Sequence, residues 1–164
     1  MRDLSLRTIT DDDVAALAAI NDDAVPAVNA LGVDGLAAHV PSCDLALVAE
    51  VDGEVAGFLL ALTPGADYAS ENYRWVSQNR PGSLYVDRIV VAPDHHGTGV
   101  GRSLYEAVFD RALALNATAV TCEVNLDPPN PQSLAFHGRL GFEQIDDLWT
   151  KGGTTRVAMM ARPV

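Results

Sequence analysis

Apolar and polar positions along the chain change period several times, and each change marks an element. Leu4-Ser5-Leu6-Arg7-Thr8 alternates every second residue, the pattern of a half-buried strand. Thr10-Asp11-Asp12-Asp13 follows as a capping box, with aspartate in the usual glutamate place, and opens a helix whose apolar side is Val14, Leu17, Ala18 and Ile20. A second helical stretch is expected over Val25 to Ala38. Leu45 to Val51 and Val55 to Leu62 flank Asp52-Gly53, a hairpin signal. Pro64 to Pro81 reads as a long polar connection carrying Tyr68, Glu71, Asn72, Tyr73 and Trp75. Such a length inside a compact domain suits a substrate wall or lid, or a loop pinned by its aromatics.

Leu84 to Val91 alternates again, placing Tyr85, Asp87, Ile89 and Val91 on one face and Leu84, Val86, Arg88 and Val90 on the other. Gly99 to Leu115 is helical, with Val100, Leu104, Val108, Ala112 and Leu115 as the apolar stripe and Arg102, Glu106 and Asp110 facing water. Thr118 to Val124 is β-rich. Asn130 before Pro131 starts another helix, which Gly141 closes. Two last strands, Glu143 to Thr150 and Thr154 to Met160, are joined by Lys151-Gly152-Gly153. Repeats and low-complexity tracts are absent from the sequence.

At 164 residues the chain suits one domain, 1–164. Apolar residues make up 48%, yet no run approaches the roughly eighteen to twenty that a membrane span requires. The first residues, Met1-Arg2-Asp3-Leu4, lack the apolar core of a signal peptide, and a cytoplasmic setting is the expectation. Cys43 and Cys122 are assigned no chemistry. Eleven basic against 22 acidic residues give a net charge of −11, which argues against a nucleic-acid partner. The same balance suits a cationic substrate such as an amine, or serves solubility.

The segment from Val90 to Leu104 carries the clearest chemistry: a strand, the turn His95-His96-Gly97-Thr98-Gly99-Val100-Gly101, then a helix. Glycines at alternate positions leave backbone N–H groups bare, and the helix start adds partial positive charge, so the turn reads as a pyrophosphate cradle. A Walker loop ending at Gly101-Arg102-Ser103 needs glycine where His96 stands and lysine where Arg102 stands. Dinucleotide fingerprints need glycine at Arg102 or Leu104. Further on, Asn130 to Phe142 reads Asn-Pro-Gln-Ser-Leu-Ala-Phe-His-Gly-Arg-Leu-Gly-Phe.

Together these two segments resemble the GNAT superfamily of acetyl-CoA dependent N-acetyltransferases, closely between Leu84 and Phe142 and by element order outside it. The resemblance implies an α/β (α+β) fold, a mixed, mostly antiparallel sheet of about seven strands with helices on both faces. It implies acetyl transfer from acetyl-CoA to a primary amine in one ternary complex. Ile89, Val90 and Val91 would contact the cofactor by backbone. His96, Gly97, Thr98, Gly99, Val100, Gly101 and Arg102 would hold its pyrophosphate, and Asn130, Ser133 and His137 would line its arm. Dimerisation is common in the family, although no exposed apolar stripe in the sequence points to it.

Two positions depart from the family pattern. His96 replaces an arginine or glutamine, and His137 replaces the tyrosine proposed to protonate the departing thiolate. His137 is the positional candidate for that acid, with Tyr105 and Tyr85 as substitutes; an imidazole with a pKa of about 6.5 needs a nearby carboxylate or water for the task. Asp87 and Glu123, on adjacent strands, are candidate bases, with Glu71 or a water chain as alternatives. A structural ion pair for Asp87 would favour Arg102 over Arg88. Tyr68, Glu71, Asn72 and Tyr73 are candidate acceptor contacts. Neighbouring His95 and His96 make no metal site, and His96 is expected to face phosphate with His95 in solvent. A small amine or amino-acid-like acceptor is expected, against a protein N-terminus or lysine, or a non-catalytic acyl-CoA binding module.

Overall fold

Each change of period becomes an element of the computed structural model, which describes residues 2–164. In chain order these are β1 (Leu4–Thr8), α1 (Val14–Asp23), α2 (Gly32–His39), β2 (Leu45–Val51), β3 (Glu54–Leu62) and α3 (Glu71–Asn79), followed by β4 (Ser83–Val91), α4 (Val100–Ala114), β5 (Ala119–Asp127), α5 (Pro131–Arg139), β6 (Glu143–Thr150) and β7 (Thr155–Pro163). The strands form one seven-stranded sheet in the order β1-β2-β3-β4-β5-β7-β6. Every neighbouring pair is antiparallel except β4 and β5.

Local signals hold where the sequence placed them. The Thr10 amide donates to the Asp13 carboxylate at 2.8 Å, completing the capping box. Asp52 (φ 52°) and Gly53 (φ 81°) are both left-handed, which is the backbone a two-residue hairpin needs. The Asn130 side chain accepts the Ser133 amide at 3.3 Å and caps α5. Two local expectations change. The Pro64–Pro81 connection contains α3, capped by Ser70, whose hydroxyl accepts the Tyr73 amide at 3.2 Å; Tyr73 and Val76, one turn apart, are its only buried apolar anchors. The second helix begins only at Gly32, because the Asp22 carboxylate captures the Leu31 amide at 2.9 Å and the Gly32 amide at 3.2 Å, holding 25–31 as a loop.

On one face α1 and α2 bury Val14, Leu17 and Leu36 against Val48, Phe58, Leu60 and Val90, and α3 extends that layer with Tyr73 and Val76 over Leu62 and Tyr85. On the other, α4 packs Val100, Leu104, Tyr105 and Val108 over Leu59, Ala61, Leu84 and Val86. The apolar stripe read for α4 is therefore the buried one.

The β4 faces are not those of simple alternation. Leu60 pairs with Arg88 and Ala61 with Val86, so Asp87 is an extra residue with no partner on β3. The bulge reverses parity beyond it. Tyr85, Asp87, Arg88 and Val90 point toward the α1–α3 layer, whereas Leu84, Val86, Ile89 and Val91 point toward α4. Asp87 and Arg88 thus share a side, and the Arg88 guanidinium donates to Asp87 at 3.0 Å. The expected preference for Arg102 is overturned.

Candidate active site

Parallel pairing between β4 and β5 covers only Ser83 to Tyr85 against Ala119 to Thr121, closed underneath by a 3.0 Å hydrogen bond between the Ser83 and Thr121 hydroxyls. Beyond that seam the strands part, leaving β4 from Val86 to Val91 unpaired on its β5 side. A cavity of about 130 Å³ sits in the opening. Its walls include Asp87 and Ile89 from β4, Cys122, Glu123 and Asn125 from β5, Asn130, Ser133 and His137 around α5, Pro26–Asn29 before α2, Tyr68, Asn72 and Lys151.

Glu123 is the poised group. Burial, reinforced by the nearby Asp87 charge, pushes its carboxyl up to about 8, although the Tyr85 hydroxyl donates to it at 2.6 Å. Asn72 lies within hydrogen-bonding reach of the same carboxyl and keeps a buried Oδ1 with no partner. Asp87 differs in kind. Burial raises its pKa, but the hydrogen bond from His39 at 2.9 Å and the charge of Arg88 outweigh it and hold the carboxylate below its ordinary range. Tyr68 donates to its other oxygen at 2.9 Å and stacks on His39, ring centroids 4.2 Å apart. Arg88 continues to the Asn21 side chain at 2.9 Å and the Asn29 carbonyl at 3.1 Å. The two bulge residues therefore fasten α1, the 24–31 loop, α2 and the Tyr68 loop around the cavity.

His137 is held from both sides. Its Nδ1–H donates to the Ser133 carbonyl at 2.8 Å, and Nε2 lies 2.7 Å from the Tyr105 hydroxyl, which donates to it. Burial lowers its pKa, so the ring is neutral, and it packs edge-on against Phe136 and Phe142. No proton on this ring faces the cavity. The expectation of an acid at His137 thus meets a side chain whose contacts are structural.

Bare amides make the other end of the cleft. Among the described residues, none of the N–H groups of residues 97–102 has an acceptor within the protein. Gly97 (φ 73°) and Gly99 (φ 89°) are left-handed with open space around them, so backbone conformation selects glycine there. At Gly101 a Cβ would lie 2.9 Å from the Phe136 ring, so packing selects it. This cradle fits a pyrophosphate. His96 does not turn into it; its Nε2–H donates to the Val91 carbonyl at 2.8 Å. His95, expected in solvent, has a buried Nδ1 without a partner. Arg102 is exposed.

Nine of the sequence-selected residues meet on one cavity: Asp87, Glu123, His137, Tyr105, Ile89, Asn130, Ser133, Tyr68 and Asn72. Glu71 and Tyr73 act beside it. Glu71 accepts the Lys151 amide at 3.2 Å, and the buried Tyr73 hydroxyl donates to the Thr63 carbonyl and accepts the Ala66 amide. His39, Asn29, Asn125 and Lys151 were not selected from sequence. The only signal among them was that Lys151 is the single lysine of the chain.

A family model described as the acetyltransferase (GNAT) family matches residues 12–142. Among solved structures, Ard1 from Thermoplasma volcanium is similar with a TM-score of 0.78 at 18% identity, covering 98% of this chain and 97% of that one. A ribosomal-protein-alanine N-acetyltransferase from Brucella melitensis gives 0.73 at 24% identity, covering 98% and 99%. The protein yncA from Salmonella typhimurium, solved with its cofactor acetyl-CoA, gives 0.72 at 20% identity, covering 98% and 94%. At these identities the likeness is one of fold. Among the described residues, no helix is long and apolar enough to cross a membrane.

Proposed function

The chain belongs to the acetyltransferase (GNAT) family, and from that premise we propose that it acetylates a primary amine on a small, amino-acid-like acceptor, with acetyl-CoA as donor. The observation that carries this reading is Glu123, a buried carboxyl at about 8 on the wall of a cavity of about 130 Å³.

Bound acetyl-CoA would supply the thioester. The amides of residues 97–102 would hold its pyrophosphate, the free edge of β4 at Ile89–Val91 its arm, and Asn130 and Ser133 would line that arm. The acceptor's ammonium, with a pKa in water of about 10, loses one proton to solvent and reacts as the free amine. As the new C–N bond forms and the C–S bond breaks, ionised Glu123 accepts the proton that the nitrogen then sheds. The same carboxyl then returns a proton to sulfur. A thiol of pKa about 8.5 is closely matched to it, so no separate acid is required and His137 is left to position Tyr105 and α5.

A second reading is acetylation of a polypeptide's first residue. A groove of about 270 Å³ between Trp75 and Trp149 adjoins the cavity at Thr150, where further residues of a chain could lie. The test is coenzyme A thiol release from acetyl-CoA with amino acids, polyamines, aminoglycosides and short peptides, beside a control without acceptor. Release with single amino acids supports the first reading, and release with peptides alone supports the second. Release with none, while acetyl-CoA binds, contradicts both.

A further inference from the structure

The charge of the acceptor cavity is opposite in sign to that of the chain. The protein as a whole carries −11, and from that excess a cationic acceptor would be expected. Around the cavity the carboxylates are already engaged. Asp87 is bonded by His39, Tyr68 and Arg88, and with Arg88 it forms a neutral pair. Glu123 carries a hydrogen bond from Tyr85 and is mostly protonated at neutral pH. His137 is neutral. The remaining polar walls, Asn29, Asn72, Asn125 and Asn130, bear no charge.

One full charge is left, on Lys151. Its ammonium is bonded to the Asn29 amide oxygen, a neutral partner. Among the described residues, the ion pairs within 4.0 Å join Arg7, His39, Arg88, Arg111 and Arg156 to carboxylates and do not include Lys151. A chain with 22 acidic residues and a single lysine thus leaves that lysine unpaired beside the acceptor.

Its backbone is also constrained. Lys151 is left-handed (φ 53°), a conformation that residues with side chains adopt at a cost, and Gly152 (67°) and Gly153 (87°) continue the turn. The Lys151 amide donates to Glu71 at 3.2 Å and its carbonyl accepts the Thr154 hydroxyl at 2.8 Å. Both bonds fix where the side chain starts. Glu71 bonds the Lys151 backbone amide and makes no ion pair within 4.0 Å of its ammonium.

We propose that Lys151, with Asn29 beside it, binds a carboxylate carried next to the acetylated amine, so that the acceptor is an α-amino acid and not a polycation. This rests on the amine-acetylation reading above. Glu123 and the unpartnered Asn72 oxygen face the amine, and Lys151 faces the acid group, so one cavity reads both ends of a zwitterion.

The experiment is steady-state thiol release with each amino acid, its carboxamide, and spermidine, for the wild type, Lys151→Ala, Lys151→Glu and Lys151→Arg. The wild type prefers the acid to the carboxamide by about tenfold or more in kcat/KM, through KM, and Lys151→Ala removes that preference, the ratio of the two substrates within each variant being the quantity read. Lys151→Glu reverses the preference, and Lys151→Arg retains it. Peptides beginning Ala-Glu and Ala-Gln form a further arm. Discrimination between them that is lost in Lys151→Ala supports the same subsite filled by a side-chain carboxylate. Equal use of acid and carboxamide, with no change in Lys151→Ala, overturns the subsite and leaves amine acetylation standing. No release with any amine overturns both.

Discussion

The two ends of the cleft are held open by opposite means. At the cofactor end the working groups are backbone amides of residues 97–102, aimed by two left-handed glycines and the start of α4. At the acceptor end they are side chains, with α1, α2 and two loops gathered around them by the Asp87–Arg88 bulge of β4. A backbone cradle depends on local conformation and tolerates change in its side chains. A side-chain cavity depends on charges buried together, and losing one partner leaves the others uncompensated. Under the proposed function, the difference suits one end to a constant ligand and leaves specificity to the side chains of the other.

The comparison breaks most sharply at Glu123. Glu123→Gln should lower kcat/KM for the amine by about 10²–10³-fold while leaving acetyl-CoA binding within about twofold. Its stability effect has a definite sign. The folded pKa of about 8 lies above the ordinary 4.5, so burial of the protonated form favours the fold in acid and that stability is lost as pH rises through 8. The glutamine variant should therefore melt above the wild type at pH 9 and close to it near pH 4.

Next in size is Asp87→Asn, which leaves Arg88 buried beside a neutral amide. Unfolding free energy should fall by about 3 kcal/mol, read by thermal or urea denaturation. The folded pKa of Asp87 is depressed, so its contribution is present at neutral pH and lost as pH falls through the acidic range. Variant and wild type should converge in acid.

A smaller effect, confined to the other end, is expected from Gly99→Ala. No atom lies within 4 Å of the added Cβ, but φ is 89°. The strain of about 1–2 kcal/mol should raise the KM for acetyl-CoA by about tenfold and leave the KM for the amine alone. The least catalytic change is His137→Phe, which deprives the buried Tyr105 hydroxyl of its acceptor. It should cost about 1–2 kcal/mol of stability with kcat within about threefold. A hundredfold loss of kcat would restore His137 as the acid.

What was legible in the sequence follows the same division. The Asp52-Gly53 turn, the Asn130 cap and the glycine loop are set by residues within a few positions of one another, so spacing alone places them. The period of β4 was visible too, but not the extra residue at Asp87. Which residue is left without a partner is decided by the register against β3, far away in sequence. His39 meets Asp87 across 48 residues, and Lys151 reaches Asn29 across 122. No local pattern encodes such contacts. The charge balance is uninformative about the cavity for a related reason, since it sums over a surface most of which never meets it.

The most direct measurement is the pH dependence of kcat/KM for the amine acceptor in the wild type and in Glu123→Gln. With Glu123 as the base, the wild-type rate rises with pH and levels off through an ionisation near 8, and that step disappears in the variant. An unchanged profile in an active Glu123→Gln protein would contradict the account and place the proton acceptor elsewhere.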